Sequence, residues 1–234
     1  LNWLGICYRN YFEMDMAKRF HKDALDIART ISDARLEAVV IANIGAIYLW
    51  KRKYHRVIEC WKKSLEISKK INDLQQIVHF TIDLGYIYFL VRNSSQAVDY
   101  LRAGIKLAEN NNFQEEIARG MMNLGSVWFV ENNLDKALDY YKTALQIAEE
   151  QKIAKLIWRL KHNIGNIFRK QNDYESAYRH YLDSIRCLEK LISTYRSEIA
   201  RKGFLKHRMG PYYSIMILLL ESQKFDDLDE FLKK

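Results

Sequence analysis

Leu84-Gly85-Tyr86-Ile87-Tyr88 decides how the chain folds, because its outline returns four more times at one spacing. Gly5, Gly45, Gly85, Gly125 and Gly165 lie 40 residues apart, each preceded by Leu or Ile: Leu4, Ile44, Leu84, Leu124 and Ile164. Three residues after each glycine stands an aromatic, Tyr8, Tyr48, Tyr88, Trp128 or Phe168. Twelve after it come Ala17, Val57, Ala97, Ala137 and Ala177; sixteen after it, His21, Trp61, Leu101, Tyr141 and Tyr181; nineteen after it, Ala24, Ser64, Gly104, Ala144 and Ser184. A fixed period in the range of about 20–50 residues marks stacked supersecondary units, none of which buries its apolar face alone.

Composition agrees with helices. One Pro and nine Gly in 234 residues are too few turn formers for a fold of many short strands. Fifteen Tyr, ten Phe and five Trp in a 49% hydrophobic chain supply enough apolar surface to offset ordering entropy, which excludes disorder.

The repeat resembles the tetratricopeptide (TPR) signature, whose order is Leu-Gly, aromatic, Ala, large apolar, small. The resemblance covers about 200 residues and implies an all-α fold. The implied architecture is a right-handed TPR superhelix, an α-solenoid of five helix pairs, plus C-terminal capping helices. The glycine of the first helix and the Ala of the second are expected to let two antiparallel backbones approach closely. Two features depart from the signature. The usual Trp four before the glycine is replaced by Leu1, Ile41, Thr81, Met121 and Lys161, and the usual Pro closing the second helix is absent. Without that Pro the unit stretches to 40 residues, with helices of about 17 residues, roughly 25 Å each.

The pattern predicts helices at 1–10, 14–31, 34–50, 54–71, 74–91, 94–111, 114–131, 134–151 and 154–171, then a longer one from Tyr174 to about Lys202. Asp73 with Gln76, and Asn112 with Glu115, have capping-box spacing. The array is expected over 1–202, in repeats of about 1–33, 34–73, 74–113, 114–153 and 154–202, followed by capping or linker helices over 203–234. The tail reads as two helices with a turn near Ser222 to Lys224. It resembles the element that joins TPR arrays to a CHAT protease domain, a caspase-like Cys/His fold. Arg196, Glu198, Phe204, Leu205, Tyr212 or Tyr213, and Leu218 to Leu220 carry that resemblance, while Pro211 departs from it. It implies a protease half that is lost or separately encoded. The chain opens on Leu1 rather than Met, so it is expected to be a piece of something larger.

In TPR proteins one flank of each first helix lines the concave groove. By helical spacing, that flank lies six and three residues before the glycine and one and four after it. It runs Val39, Ala42, Ala46, Leu49; His79, Ile82, Tyr86, Phe89; Arg119, Met122, Ser126, Phe129; Arg159, His162, Asn166, Arg169, apolar in the middle and cationic towards the C-terminal end. Two before the glycine stand Asn43, Asp83, Asn123 and Asn163, which resemble the groove Asn of peptide-binding TPRs. The expected partner-binding set is Asn43, His79, Ile82, Tyr86, Phe89, Arg119, Met122, Asn123, Phe129, Arg159, His162, Asn163, Asn166 and Arg169. Its expected ligand is a protein or peptide segment with apolar side chains beside an acidic or C-terminal carboxylate end, gripped by Arg119, Arg159 and Arg169.

No enzyme chemistry is expected in this chain. The six His are scattered, with His21 in the large core register. Cys7, Cys60 and Cys187 fit no structural zinc spacing and are expected to be buried free thiols. No catalytic residue, metal or cofactor is predicted, nor a membrane contact, and the unpaired Cys set points to a cytoplasmic location. The leading function is a scaffold or regulatory module, such as the sensor half of a CHAT protease. A peptide-pheromone sensor of the Rap kind, which uses repeats of similar length, is one alternative, and a basic nucleic-acid-binding helical repeat is another. The formal charge of +8 is concentrated between Lys155 and Gly210, where thirteen Lys and Arg face five acids.

Overall fold

The computed structural model describes residues 1–10, 13–195, 201, 205 and 208–222. Eleven helices lie among them: α1 (Asn2–Asn10), α2 (Met14–Thr30), α3 (Ala34–Trp50), α4 (Tyr54–Lys70), α5 (Leu74–Leu90), α6 (Ser94–Asn110), α7 (Gln114–Val130), α8 (Leu134–Glu150), α9 (Ala154–Lys170), α10 (Tyr174–Ser193) and α11 (Gly210–Glu221). The chain is all-α. From α1 to α9 every helix begins and ends within one residue of the sequence reading. The chain divides into two compact units, Leu1–Asn123 and Leu124–Lys234.

In both units the glycine makes room for the large residue sixteen positions on. A Cβ at Gly5 would fall 2.6 Å from His21, at Gly45 2.8 Å from Trp61, and at Gly85 2.5 Å from Leu101. In the second unit it would fall 2.5 Å from Tyr141 at Gly125 and 2.6 Å from Tyr181 at Gly165. The expected close approach of the glycine to the Ala of the second helix is seen at Gly165, where an added Cβ would lie 3.3 Å from the Ala177 carbonyl. That Ala or Val is fully buried at all five positions, but the tight contact belongs to the bulky neighbour. The small residue at nineteen has its own role. Ser64 Oγ donates to the Ala38 carbonyl at 2.8 Å and Ser184 Oγ to that of Trp158 at 2.6 Å, while Gly104 leaves space for Ile82.

The turns have a period of their own. Ser32, Arg52, Asn72, Arg92, Asn112, Asn132, Lys152 and Asn172 stand 20 residues apart, all with φ between 53° and 62° and none of them glycine. At each, the helix ends in the same pair of bonds: the Asp33 N–H reaches the Ala28 carbonyl at 2.8 Å and the Ser32 N–H that of Arg29 at 3.1 Å. The same pairs recur at the other seven turns, satisfying carbonyls that a helix end leaves open. The next residue then starts the following helix. Asp33, Asp73, Asn93, Asn133 and Asp173 accept an N–H from three residues on, as helix caps. Gln76 also donates its side-chain amide to Asp73 at 2.9 Å. The second expected capping box does not form, because Asn112 occupies the left-handed turn position and α7 begins after Phe113.

The C-terminal elements differ from expectation. α10 stops at Ser193, about nine residues short of the predicted end. Ser193 Oγ and Thr194 Oγ1 turn back onto the carbonyls of Lys190 and Leu191, at 2.8 and 2.6 Å, competing with the helical ladder where it ends. α11 starts at Gly210 with Pro211 in its first turn, where the missing N–H costs no bond. Ile215, Leu218 and Leu219 of α11 pack on Ala177, Tyr181 and Ile185 of α10. Leu205 and Tyr212 join Trp158, Leu188 and Ile192. Arg196, Glu198, Phe204 and the second predicted tail helix lie outside the described residues. The three cysteines are half-buried rather than buried.

A left-handed conformation costs a non-glycine residue about 1–2 kcal/mol, part of which glycine returns as unfolded-state entropy. Arg92→Gly is therefore expected to stabilise the protein by about 0.5–1 kcal/mol, and Arg102→Gly on exposed α6 to destabilise it by about 1 kcal/mol. Thermal or urea denaturation of the two variants checks this pair of opposite signs.

Candidate functional site

In the unit Leu1–Asn123, helical spacing brings one flank of α3, α5 and α7 to successive first-helix positions. On α3 that flank is apolar, and Asn43 donates to Asn2 Oδ1 at 3.0 Å. On α5 it carries His79 and the half-buried aromatics Tyr86 and Phe89, whose ring centroids lie 6.4 Å apart. Ile82 and Met122, expected on the same flank, are core residues, and Asn123 is buried with them. Gly104 leaves the space that Ile82 fills.

Arg119 also differs from expectation. Its guanidinium is already paired inside the protein, through Nη1 with Asp83 and through Nε with Glu116 Oε2 at 2.7 Å, and Nη2 reaches the His79 carbonyl at 3.2 Å. His79 completes the cluster, with Nδ1 3.1 Å from Glu116 and Nε2 3.4 Å from Asp83. Its side chain is 47% exposed against 18% for Arg119. Burial would raise the Glu116 carboxyl, but the hydrogen bond to His79 and the charge of Arg119 outweigh it and hold it at about 2. Burial likewise opposes the Arg119 charge, and Asp83 and Glu116 more than compensate. Arg119 is therefore not an open grip for a carboxylate.

In the unit Leu124–Lys234 the flank is polar. Tyr181 donates to Asn166 Oδ1 at 2.8 Å, which turns the two amide N–H donors of Asn166 away from the ring. Tyr141 donates to Ser126 at 3.1 Å, the ammonium of Lys170 stands 5.0 Å from the centre of Phe129, and Arg159 is exposed. Asn163 is half-buried on α9. His162, expected to face a ligand, lies under α11, its Nε2 2.9 Å from Ser214 Oγ, and Arg169 sits 3.9 Å from Glu221 at the far end of that helix. The tail reaches these residues across the chain, which their spacing within α9 does not reveal. Among the described residues no group of three His, Cys, Asp or Glu is placed to hold a metal, and no helix is long and apolar enough to cross a membrane.

Residues 160–203 match the family model described as tetratricopeptide repeat. Over that segment the chain resembles a tetratricopeptide repeat. Over 61 residues it is 38% identical to the transcriptional activator NprA of Geobacillus stearothermophilus, a match spanning 26% of this chain and 15% of that protein's length. Among solved structures, it resembles a Rap protein complexed with competence and sporulation factor, with a TM-score of 0.74 and 15% identity over 99% of this chain and 72% of that one. It also resembles BtubC (BKLC) from P. vanneervenii, with a TM-score of 0.72 and 11% identity over 94% and 88% of the two chains. At these identities the likeness is one of fold.

Burial, reinforced by the charge of Arg169, lowers His162 to about 4 from the usual 6.5. Between those values the unfolded chain binds more protons than the folded protein. The stability linked to His162 is thus complete above about pH 6.5 and is lost as pH falls through about 4, amounting to at most about 3 kcal/mol. Denaturation at pH 7 and pH 4.5 is expected to show this loss in the native protein and a smaller one in His162→Gln.

Proposed function

We propose that the chain is a protein- or peptide-binding TPR scaffold that reads a partner segment with the flanks of its first helices. The observation that carries this reading is the Tyr181–Asn166 hydrogen bond, which holds an amide in a set orientation on the flank whose register also carries Phe129 and Arg159. An oriented amide suits the carbonyls of an extended backbone, an aromatic ring supplies contact area, and a guanidinium suits a carboxylate. The acidic end of such a segment would lie along the basic end of that flank, where Arg159 is exposed on α9. A fold shared with a Rap protein that holds competence and sporulation factor supports the same reading.

Nucleic-acid binding is less favoured. Several cations of the basic C-terminal region have acidic neighbours: Lys161 with Glu149 at 3.3 Å, Arg179 with Glu175 at 3.5 Å and Arg186 with Asp183 at 3.1 Å. The resemblance of the tail to a CHAT linker supports a finer role, as the regulatory or sensor module of a larger protein. A caspase-like domain encoded with or beside this chain would be its partner.

Selection of phage-displayed dodecapeptides on the intact chain tests the reading. An enriched consensus is expected, with its affinity, measured by fluorescence anisotropy, falling at least tenfold in Arg159→Glu and in Phe129→Ala. No consensus, or unchanged affinity in both variants, overturns it.

A further inference from the structure

The turn between α3 and α4, Trp50-Lys51-Arg52-Lys53, is unlike its counterparts in the later repeats, Leu90-Val91-Arg92-Asn93, Val130-Glu131-Asn132-Asn133 and Lys170-Gln171-Asn172-Asp173. Local structure favours those counterparts. Arg52 holds φ at 54°, a left-handed conformation that Asn132 and Asn172 adopt at lower cost. Lys53 opens α4 with no side-chain cap, where Asn93, Asn133 and Asp173 each accept an N–H. Arg56 follows in a first turn that holds no acid, although the helix dipole disfavours cations there. Trp50 is 53% exposed, a large ring left in water. Each of these choices lowers stability, so the fold does not account for them.

What they share is one surface. Lys51, Arg52, Lys53 and Arg56 are all exposed. Lys51 meets Asp15 at 3.2 Å and Arg56 meets Glu59 at 3.0 Å. Arg52 and Lys53 have no ion pair among the described residues, and neither has Arg92, which stands in the next repeat's turn beside exposed Val91. Five cations against two acids leave three positive charges in excess, whatever the state of His55. These residues lie at the end of the helix pairs, so they present a tip to a flat surface, not a track along which a strand could run. An indole settles at the headgroup level of a bilayer, its ring in apolar surroundings and its N–H in water. Lys and Arg beside it are drawn to an anionic leaflet.

We infer that the α3–α4 turn docks the protein on an anionic membrane surface, with Trp50 entering the headgroup layer and Arg52, Lys53 and Arg92 meeting lipid phosphates and carboxylates. The sequence expectation of no membrane contact rested on spanning length alone, and attachment to a surface needs no spanning helix. The inference is independent of the peptide-binding reading, since it uses none of the flank residues. With one indole and a small charge excess, the attachment is reversible and weakens as salt is raised.

Co-sedimentation of the intact chain with vesicles tests it, using equal parts phosphatidylserine and phosphatidylcholine against phosphatidylcholine alone. The chain is expected to pellet with the mixed vesicles, to stay in solution with the neutral ones, and to be released by salt. Arg52→Asn combined with Lys53→Asn copies the turn at Asn132 and Asn133. This variant is expected to resist urea better than the native protein yet to bind the mixed vesicles about twenty-fivefold more weakly, at about fivefold for each cation. The opposite signs are the deciding result, because damage to the fold cannot raise stability. Trp50→Ala is expected to weaken binding and to remove most of the fluorescence quenching that brominated phosphatidylcholine produces in the native protein. No pelleting with the mixed vesicles, equal pelleting with both, or unchanged affinity in the Arg52 and Lys53 variant overturns the inference. So does binding of a DNA or RNA oligonucleotide that this variant loses while vesicles are ignored, since the patch would then serve nucleic acid.

Discussion

Each repeat depends on a contact between a hydrogen atom and a large side chain. Where the first helix carries glycine, the residue sixteen positions on fills the space that a methyl group would take. Glycine inside a helix costs about 1 kcal/mol relative to alanine, so five such residues are a standing penalty. Burial of His21, Trp61, Leu101, Tyr141 and Tyr181 against the glycine backbone offsets it. The contact also sets the height of one helix on the other, which determines what each neighbouring position faces. Tyr141 and Tyr181 extend across their glycines so that their hydroxyls reach Ser126 and Asn166, one residue further along the first helix. Packing at the glycine is in this way transmitted to the polar flank.

The second constraint is the three-residue turn. A helix of 17 residues followed by a left-handed residue between two others gives a 20-residue unit, and two of these make the 40-residue repeat. The same residue that closes one helix by donating its N–H opens the next, in five cases by accepting an N–H with its side chain. Such short connections leave little freedom in the helix phase, so flank residues recur at predictable places. That regularity is what lets a sequence position be translated into a surface position within each unit.

Much of this was legible in advance. Glycine, aromatic and small-residue registers identified the helix pairs, because core packing repeats and so leaves a periodic trace. The left-handed residue in each turn was hidden, since Ser32, Arg52 and Lys152 carry none of the glycine that marks one. Partnerships between repeats were harder still. Arg119 meets Asp83 across 36 positions, and His162 meets Ser214 across 52. One clue was present: Asp83 occupies a register where three of the other repeats have Asn43, Asn123 and Asn163. A carboxylate in place of an amide, beside a position occupied by arginine in the next repeat, marks an internal pair. The early end of α10 left no comparable trace, because hydroxyls bonding back to the helix do so from residues that also tolerate helical positions.

The central claim is that the glycine exists for its large neighbour, and a double-mutant cycle at Gly85 and Leu101 tests it most directly. Denaturation of the two single variants and the double variant gives the coupling. With Leu101 present, Gly85→Ala is predicted to destabilise by about 1–3 kcal/mol through overpacking. In the Leu101→Ala background the same change is predicted to be neutral or to stabilise by up to about 1 kcal/mol, since only helix propensity remains. An equal effect of Gly85→Ala in both backgrounds would contradict the account.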